Sequence, residues 1–202
     1  MKAIVIGATG TIGKGIASEL ESKGYKVFSG TRKSIESIDI ESDTSVHNFF
    51  EQMDRVDAII CAAGSASFVP LNELDEEKIQ FSLNSKLAGQ LRVAKYGIKN
   101  LKENGAIILT GGMFAYEPWP SSSILSTINK GLEGFVKAVT LEMEEGKRIM
   151  IAHPPFLSET AEMKGMPTDP WPNSSEVAKS YSKALESGKS GDIIYVDGYE
   201  PK

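Results

Sequence analysis

Met1-Lys2-Ala3-Ile4-Val5-Ile6-Gly7-Ala8-Thr9-Gly10-Thr11-Ile12-Gly13-Lys14-Gly15 opens the chain. An apolar run leads into glycines at 7, 10 and 13, and Ile12, Ile16 and Leu20 then recur at helical spacing. The pattern predicts a strand, a tight turn and a helix. Glycines in such a turn let backbone N–H groups approach an anion closely, and the helix N-terminus adds a favourable dipole. The anion that suits this arrangement is a dinucleotide pyrophosphate. The spacing is Gly-x-x-Gly-x-x-Gly, not Gly-x-Gly-x-x-Gly. A mononucleotide phosphate loop does not fit. Ala8 stands where the first glycine of Gly-x-x-x-x-Gly-Lys-Ser/Thr belongs, and Gly15 stands where its Ser or Thr belongs.

The chain has 202 residues, enough for one domain, 1–202, with a full core. A formal net charge of −5 argues against general binding to a nucleic-acid backbone. No apolar run approaches the roughly 20 residues of a membrane span. No basic leader and cleavage site precede Ala3, and the single cysteine, Cys61, has no internal disulfide partner. A cytoplasmic protein is the expectation. Two histidines and one cysteine form no metal-ligand cluster, so no metal is expected.

Further along, Lys23-Gly24 stops the first helix and Tyr25 to Ser29 reads as a second strand. Where NAD binders carry an acid on the ribose, this chain has Thr31, Arg32 and Lys33. Arginine suits a phosphate, so NADP(H) is expected over NAD(H). A brief third strand is expected to end at Asp39-Ile40. Asp43-Thr44-Ser45 caps a helix over residues 45–53. Asp57 to Cys61 is a buried fourth strand, and the small residues Ala62-Ala63-Gly64 after it leave room for a ligand. Residues 73–102 carry a helical apolar stripe that Lys102-Glu103-Asn104-Gly105 ends. Ala106 to Leu109 is a fifth strand. Ile124 to Met143 marks a long helix, Ile149 to Ala152 a sixth strand, Val177 to Leu185 a last helix and Asp192 to Val196 a seventh strand. Five of the nine prolines fall in 154–172, which reads as an irregular cover. Alternating strands and helices predict an α/β Rossmann fold: a doubly wound, parallel, seven-stranded sheet in three α/β/α layers.

Over nearly its whole length the chain resembles the short-chain dehydrogenase/reductase family. The matching residues are the glycine loop at 7–13, Asp39, Ala62-Ala63-Gly64, Asn84, the segment Lys130 to Ala138 and Asp197-Gly198. The resemblance implies that Gly7, Thr9, Gly10, Thr11, Ile12 and Gly13 hold the pyrophosphate and that Asp39 and Ile40 border the adenine. Ala62, Ala63 and Gly64 would line the adenosine side. Lys130 would bond the nicotinamide ribose, and Asn84 would support an active-site water. It also implies pairing of long helices, 84–101 and 124–144, into a homodimer or homotetramer.

The departures from the family bear on chemistry. Its tyrosine lies four residues before its lysine, where this chain has Ser126, and its serine falls in the region of Gly111-Gly112. A serine hydroxyl is a far poorer acid than a phenol, and loss of a general acid costs ~10²–10⁴-fold in rate. Tyr116, in the loop after the fifth strand, and His153, closing the sixth, stand as substitutes. Trp119 and Trp171, each between prolines, are placed to wall a bulky apolar or aromatic substrate. Two readings follow. One is an oxidoreductase of a small carbonyl or alcohol with an altered proton donor. The other is a silent NADP(H)-binding sensor or interaction protein.

Overall fold

The computed structural model describes residues 1–33 and 37–201. Six strands make one parallel sheet: β1 (Lys2–Ile6), β2 (Lys26–Gly30), β3 (Val56–Cys61), β4 (Leu101–Thr110), β5 (Arg148–Ala152) and β6 (Ile193–Ile194). Their order is β2-β1-β3-β4-β5-β6, so the winding reverses between β1 and β3. Loops leave in opposite directions at such a point and open a crevice at the C-terminal strand ends.

Side chains alternate along each strand, and the alternation builds two cores. Ile4, Ile6, Ile59, Ile107 and Leu109 face α2 (Asp43–Gln52), α4 (Gly89–Gly97) and α5 (Ser123–Val139). Ala3, Val5, Ala58, Ile60 and Ile108 face α1 (Thr11–Ser22) and α7 (Ser174–Ser187). The helices α3 (Glu76–Ser82) and α6 (Ser158–Met163) complete the set. The short α6 lies within the proline-rich cover that sequence patterning reads as irregular throughout.

The sheet differs from the expected seven strands at one edge. Residues 34–36 lie outside the described residues, and 37–40 make no strand. Ile38 and Ile40 instead tuck in as core residues beyond β2, with 2% and 7% of their surface exposed. The linker there is too short for a helix and a paired strand, and its two isoleucines pack into the core on the α2 and α4 side of the sheet, Ile38 beside Gly30 and Phe49 and Ile40 against Gly89. The helix α2 begins before its expected start because Ser42, not Asp43, accepts the N–H of Ser45. The strand β4 begins at Leu101, inside the expected helix, and a register shift between Val56 and Ala58 on β3 takes up the extra residues.

The helical stretch 73–102 is also not continuous. Between α3 and α4 the residues Leu83–Ala88 form a π-helical segment. Each π turn holds an extra residue, so side chains beyond it rotate relative to the 3.6-residue pattern.

Candidate active site

The loop after β1 turns at Gly7, whose φ of +86° is left-handed. A Cβ on Gly13 would stand 2.1 Å from the Gly7 carbonyl oxygen, so only glycine lets α1 start this close to the strand end. Gly10 is the N-cap of α1 and offers no side-chain hydrogen bond. The first-turn amides of Thr11, Ile12 and Gly13 therefore lack a capping side chain and present their donors outward. An uncapped helix start of this kind is suited to hold an anion.

Beside it a hollow runs along the C-terminal edge of β1 and β2. Gly7, Thr9, Thr31, Arg32, Asp39, Ile40, Ala63 and Gly64 line it together with Glu41, Ser65 and Ser85. Eight of the residues assigned to the cofactor thus meet at one place, although they come from four segments of chain. Ala62 sits at the end of β3, its N–H bonded to the Ile6 carbonyl at 2.8 Å. Asp39 Oδ1 accepts the N–H of Glu41 at 3.1 Å, which fixes the turn below Arg32.

A second hollow lies at the ends of β4 and β5. Ile12, Lys86, Gly111, Gly112, Leu125, Asn129, Pro154 and Phe156 line it, among others. Ile12 comes from the glycine loop and Lys86 packs under Gly64, so the two hollows share a border. The end of β4 is anchored from both layers. Gln90, fully buried, clamps Thr110 by giving Nε2–H to its carbonyl at 2.7 Å and accepting its N–H at 2.8 Å. From the opposite side the Tyr181 hydroxyl meets Thr110 Oγ1 at 3.0 Å. Lys86 Nζ reaches the same Thr110 carbonyl at 3.5 Å. Burial pulls its amine down to about 8.

His153 is fully buried and accepts the Gly112 N–H on Nδ1 at 2.9 Å. Its Nε2 therefore carries the proton in the neutral ring. Nε2 is 3.0 Å from Glu133 Oε1 but has no well-aligned acceptor, so that contact is electrostatic. Burial lowers His153 to about 4 despite Glu133, and the ring is neutral at pH 7. It props up the Gly111-Gly112 loop from beneath rather than lining the hollow.

The catalytic assignments fare differently. Asn84 is exposed, and its Oδ1 accepts from the Arg92 guanidinium at 2.8 Å on the far side of the helix. Lys130 points outward, with its side chain 54% exposed, and pairs with Glu133 at 2.9 Å. Ser126 Oγ lies 3.2 Å from Ser122 Oγ, among the residues that hold the Trp119 loop. Tyr116 gives its hydroxyl proton to the Tyr199 carbonyl at 3.1 Å, outside the second hollow, and burial raises it to about 12. None of these four side chains lines the second hollow. The reason is rotational phase. The α5 stripe of Ile124, Ile128, Leu132 and Val136 faces the sheet. Lys130 lies about 200° around the helix from both Ile128 and Leu132, which is the outer face.

Sequence reasoning missed Lys86 and Asn129. Asn129 is 1% exposed and gives Nδ2–H to the Gly112 carbonyl at 3.1 Å, while its Oδ1 has no partner among the described residues. The stripe on α5 was the signal that could have found Asn129. No signal in the sequence marks the π-helical segment that aims Lys86. Neither tryptophan lines the hollow itself; they stand 5.9 Å apart, with Phe156, which does line it, against each at 5.9 Å and 5.7 Å. Phe114 and Phe68 extend the aromatic wall.

A parallel doubly wound sheet with this loop and crevice defines the Rossmann class of nucleotide-binding folds. Residues 1–170 match the family described as short chain dehydrogenase, and the chain belongs to that family of oxidoreductases. Carbonyl reductase family member 4 of Xenopus laevis is 25% identical, over 96% of this chain and 95% of its own. Among solved structures, the protein lin1944 of Listeria innocua is 32% identical, with a TM-score of 0.90, covering 97% of this chain and 99% of that one. A small-chain dehydrogenase in complex with NADPH is 27% identical, with a TM-score of 0.86, covering 98% and 97%. Among the described residues no helix is long and apolar enough to cross a membrane.

Proposed function

We propose that the protein is an NADP(H)-dependent oxidoreductase of small carbonyl or alcohol compounds, working in the cytoplasm with a proton donor other than a tyrosine. The observation that carries this reading is the shared border of the two hollows. One is lined by the glycine loop and Arg32, the other by Lys86, Asn129 and the aromatic wall.

The residues present fit a dinucleotide. The uncapped start of α1 suits the pyrophosphate. Arg32, exposed at the rim of the first hollow, suits a ribose phosphate, and the similar protein solved with NADPH supports that choice. The unpartnered Oδ1 of Asn129 offers an acceptor to a hydroxyl or amide donor in the second hollow. A nicotinamide dinucleotide bound there supplies or accepts a hydride. The chain itself anchors the phosphates, excludes water with Phe156 and the two tryptophans, and orients polar groups at the ends of β4 and β5. The cleft-facing pair four residues apart on α5 is Leu125 and Asn129, and on this reading they stand where the family carries its tyrosine and lysine. Leu125 cannot transfer a proton.

Two measurements test the reading. Calorimetric titration should show NADPH binding, and NADPH oxidation should be seen with aromatic aldehydes such as 4-nitrobenzaldehyde. Binding without turnover across a panel of aldehydes, ketones and quinones would instead identify a silent NADP(H)-binding protein. For cofactor choice, Arg32→Ala should weaken NADPH by about 10–100-fold, the loss of one charge-assisted hydrogen bond. NADH binding should hardly change, and an equal loss for both would mean that Arg32 does not read the phosphate. Assembly into dimers or tetramers belongs to the same proposal, and light scattering on a size-exclusion column would read it.

A further inference from the structure

We propose that Lys86 is the proton donor of this active site, delivering the proton from Nζ to the oxygen of a carbonyl held against Asn129 and Phe156. The inference rests on the reductase reading above and goes beyond it by naming the acid. Three observations carry it. First, among the residues lining the second hollow, Lys86 is the one with an ionisable side chain. Second, its position is built. The π-helical segment Leu83–Ala88 turns it inward, Gly64 leaves room for its Cα where a Cβ would come within 2.9 Å, and the Thr110 carbonyl holds Nζ at 3.5 Å. That carbonyl is itself fixed by Gln90. Third, the other candidate donors are committed elsewhere. Tyr116 serves the Tyr199 carbonyl, Ser126 lies against Ser122, and His153 lies beneath Gly112.

The electrostatic setting agrees. Cys61 on β3 and His153 after β5 are the titratable groups coupled to Lys86, and no carboxylate is among them. Burial pushes the Cys61 thiol up to about 11 and His153 down to about 4, so both are neutral at pH 7. With no anion to hold its proton, and partly withdrawn from water, the Lys86 amine sits near 8, where an acid both carries its proton and releases it readily. In the reduction, the carbonyl carbon gains a hydride from the reduced cofactor, and the C=O π pair moves to oxygen. The Nζ–H bond breaks, its proton joins that oxygen, and the neutral amine regains a proton from water. In the alcohol oxidation the neutral amine accepts the proton.

The test has two arms. In the cofactor-free protein, reductive methylation with 13C-formaldehyde labels the lysines. The resonance missing in Lys86→Met should titrate near pH 8, well below the other lysines. In the NADPH-loaded protein with 4-nitrobenzaldehyde, wild-type turnover should fall as pH rises through about 8. Lys86→Met should lower turnover ~100-fold or more and flatten that profile. NADPH binding should stay within about threefold, since Lys86 is placed on the proton and not on the phosphates. Lys86→Arg keeps the charge but holds its proton, so it should remain impaired. A Lys86 resonance titrating with the other lysines overturns the proposal. So does a Lys86→Met enzyme with unchanged rate and pH profile, or a covalent adduct at Lys86 after borohydride treatment with the aldehyde, which would mark the amine as a nucleophile. A wild type that binds NADPH but turns over nothing overturns the reductase reading and the donor role together. A working wild type with an indifferent Lys86→Met overturns the donor role alone.

Discussion

Gly111 is glycine because an imidazole fills the space its side chain would need. A Cβ there would lie 2.3 Å from His153 Nδ1 and 2.4 Å from Cε1, and His153 is fully buried. The ring cannot retreat without breaking its bond to the Gly112 N–H. The family resemblance expects a serine in this region, and at Gly111 the imidazole leaves no room for one. Gly111→Ala should therefore destabilise the fold by about 1–3 kcal/mol through overpacking, read as a lower urea midpoint at unchanged m-value. If the midpoint does not move, the ring has somewhere else to go and the packing argument fails.

Elements fix which parts of the site the sequence could reveal. The strand–loop–helix at the N-terminus is local. Its glycines and its periodicity lie within fifteen consecutive residues, and the strand, turn and helix they predict are β1, the turn at Gly7 and α1. Gly13→Ala puts a Cβ 2.1 Å from backbone at Gly7, so it should lower the melting temperature and reduce NADPH affinity at least tenfold. Retained affinity would show that α1 can slide without harming the cradle. The first hollow is partly legible, because Arg32 and Gly64 follow strand ends that the apolar runs mark, whereas Asp39 follows no strand. The second hollow is not. Its residues are set by helix phase: on α5 Leu125 and Asn129 line it, and their neighbours Ser126 and Lys130 do not. Within 73–102 the π-helical segment adds a further rotation that an apolar stripe cannot report, and there Lys86 lines the hollow while Asn84 does not. The missing edge strand has the same origin. Ile38 and Ile40 are apolar enough for a strand, but nothing local says that the chain between 31 and 42 is too short to pair one.

At the scale of the whole molecule, stability depends on pH through a buried side chain just past the C-terminal end of β5. His153 has a folded-state value near 4, against 6.5 for the free imidazole. Between those values the unfolded chain takes up a proton that the folded chain refuses. Its contribution is complete above pH 6.5 and is lost progressively as pH falls toward 4, a loss on the order of 3 kcal/mol. The groups that face it are Glu133 and Lys130 on α5, Lys86 on the π-helical segment, and the rings of Tyr116 and Tyr195. Urea unfolding from pH 7.5 down to 4.5 should show the decline, and His153→Gln should show a shallower one. An equal slope in the two proteins would assign the acid sensitivity to carboxylates elsewhere.

The packing of Trp119 and Trp171 against Phe156, which lines the second hollow, has an optical consequence. These are the chain's two tryptophans, and they stand 5.9 Å apart. Tryptophan emission thus originates one ring away from the second hollow, close enough for a reduced nicotinamide bound there to absorb it. Quenching of that emission with a matching rise from the nicotinamide would report occupancy of the cleft without any label. Trp119→Phe and Trp171→Phe would divide the signal between the two walls, so that closure of either loop over a ligand could be followed in real time.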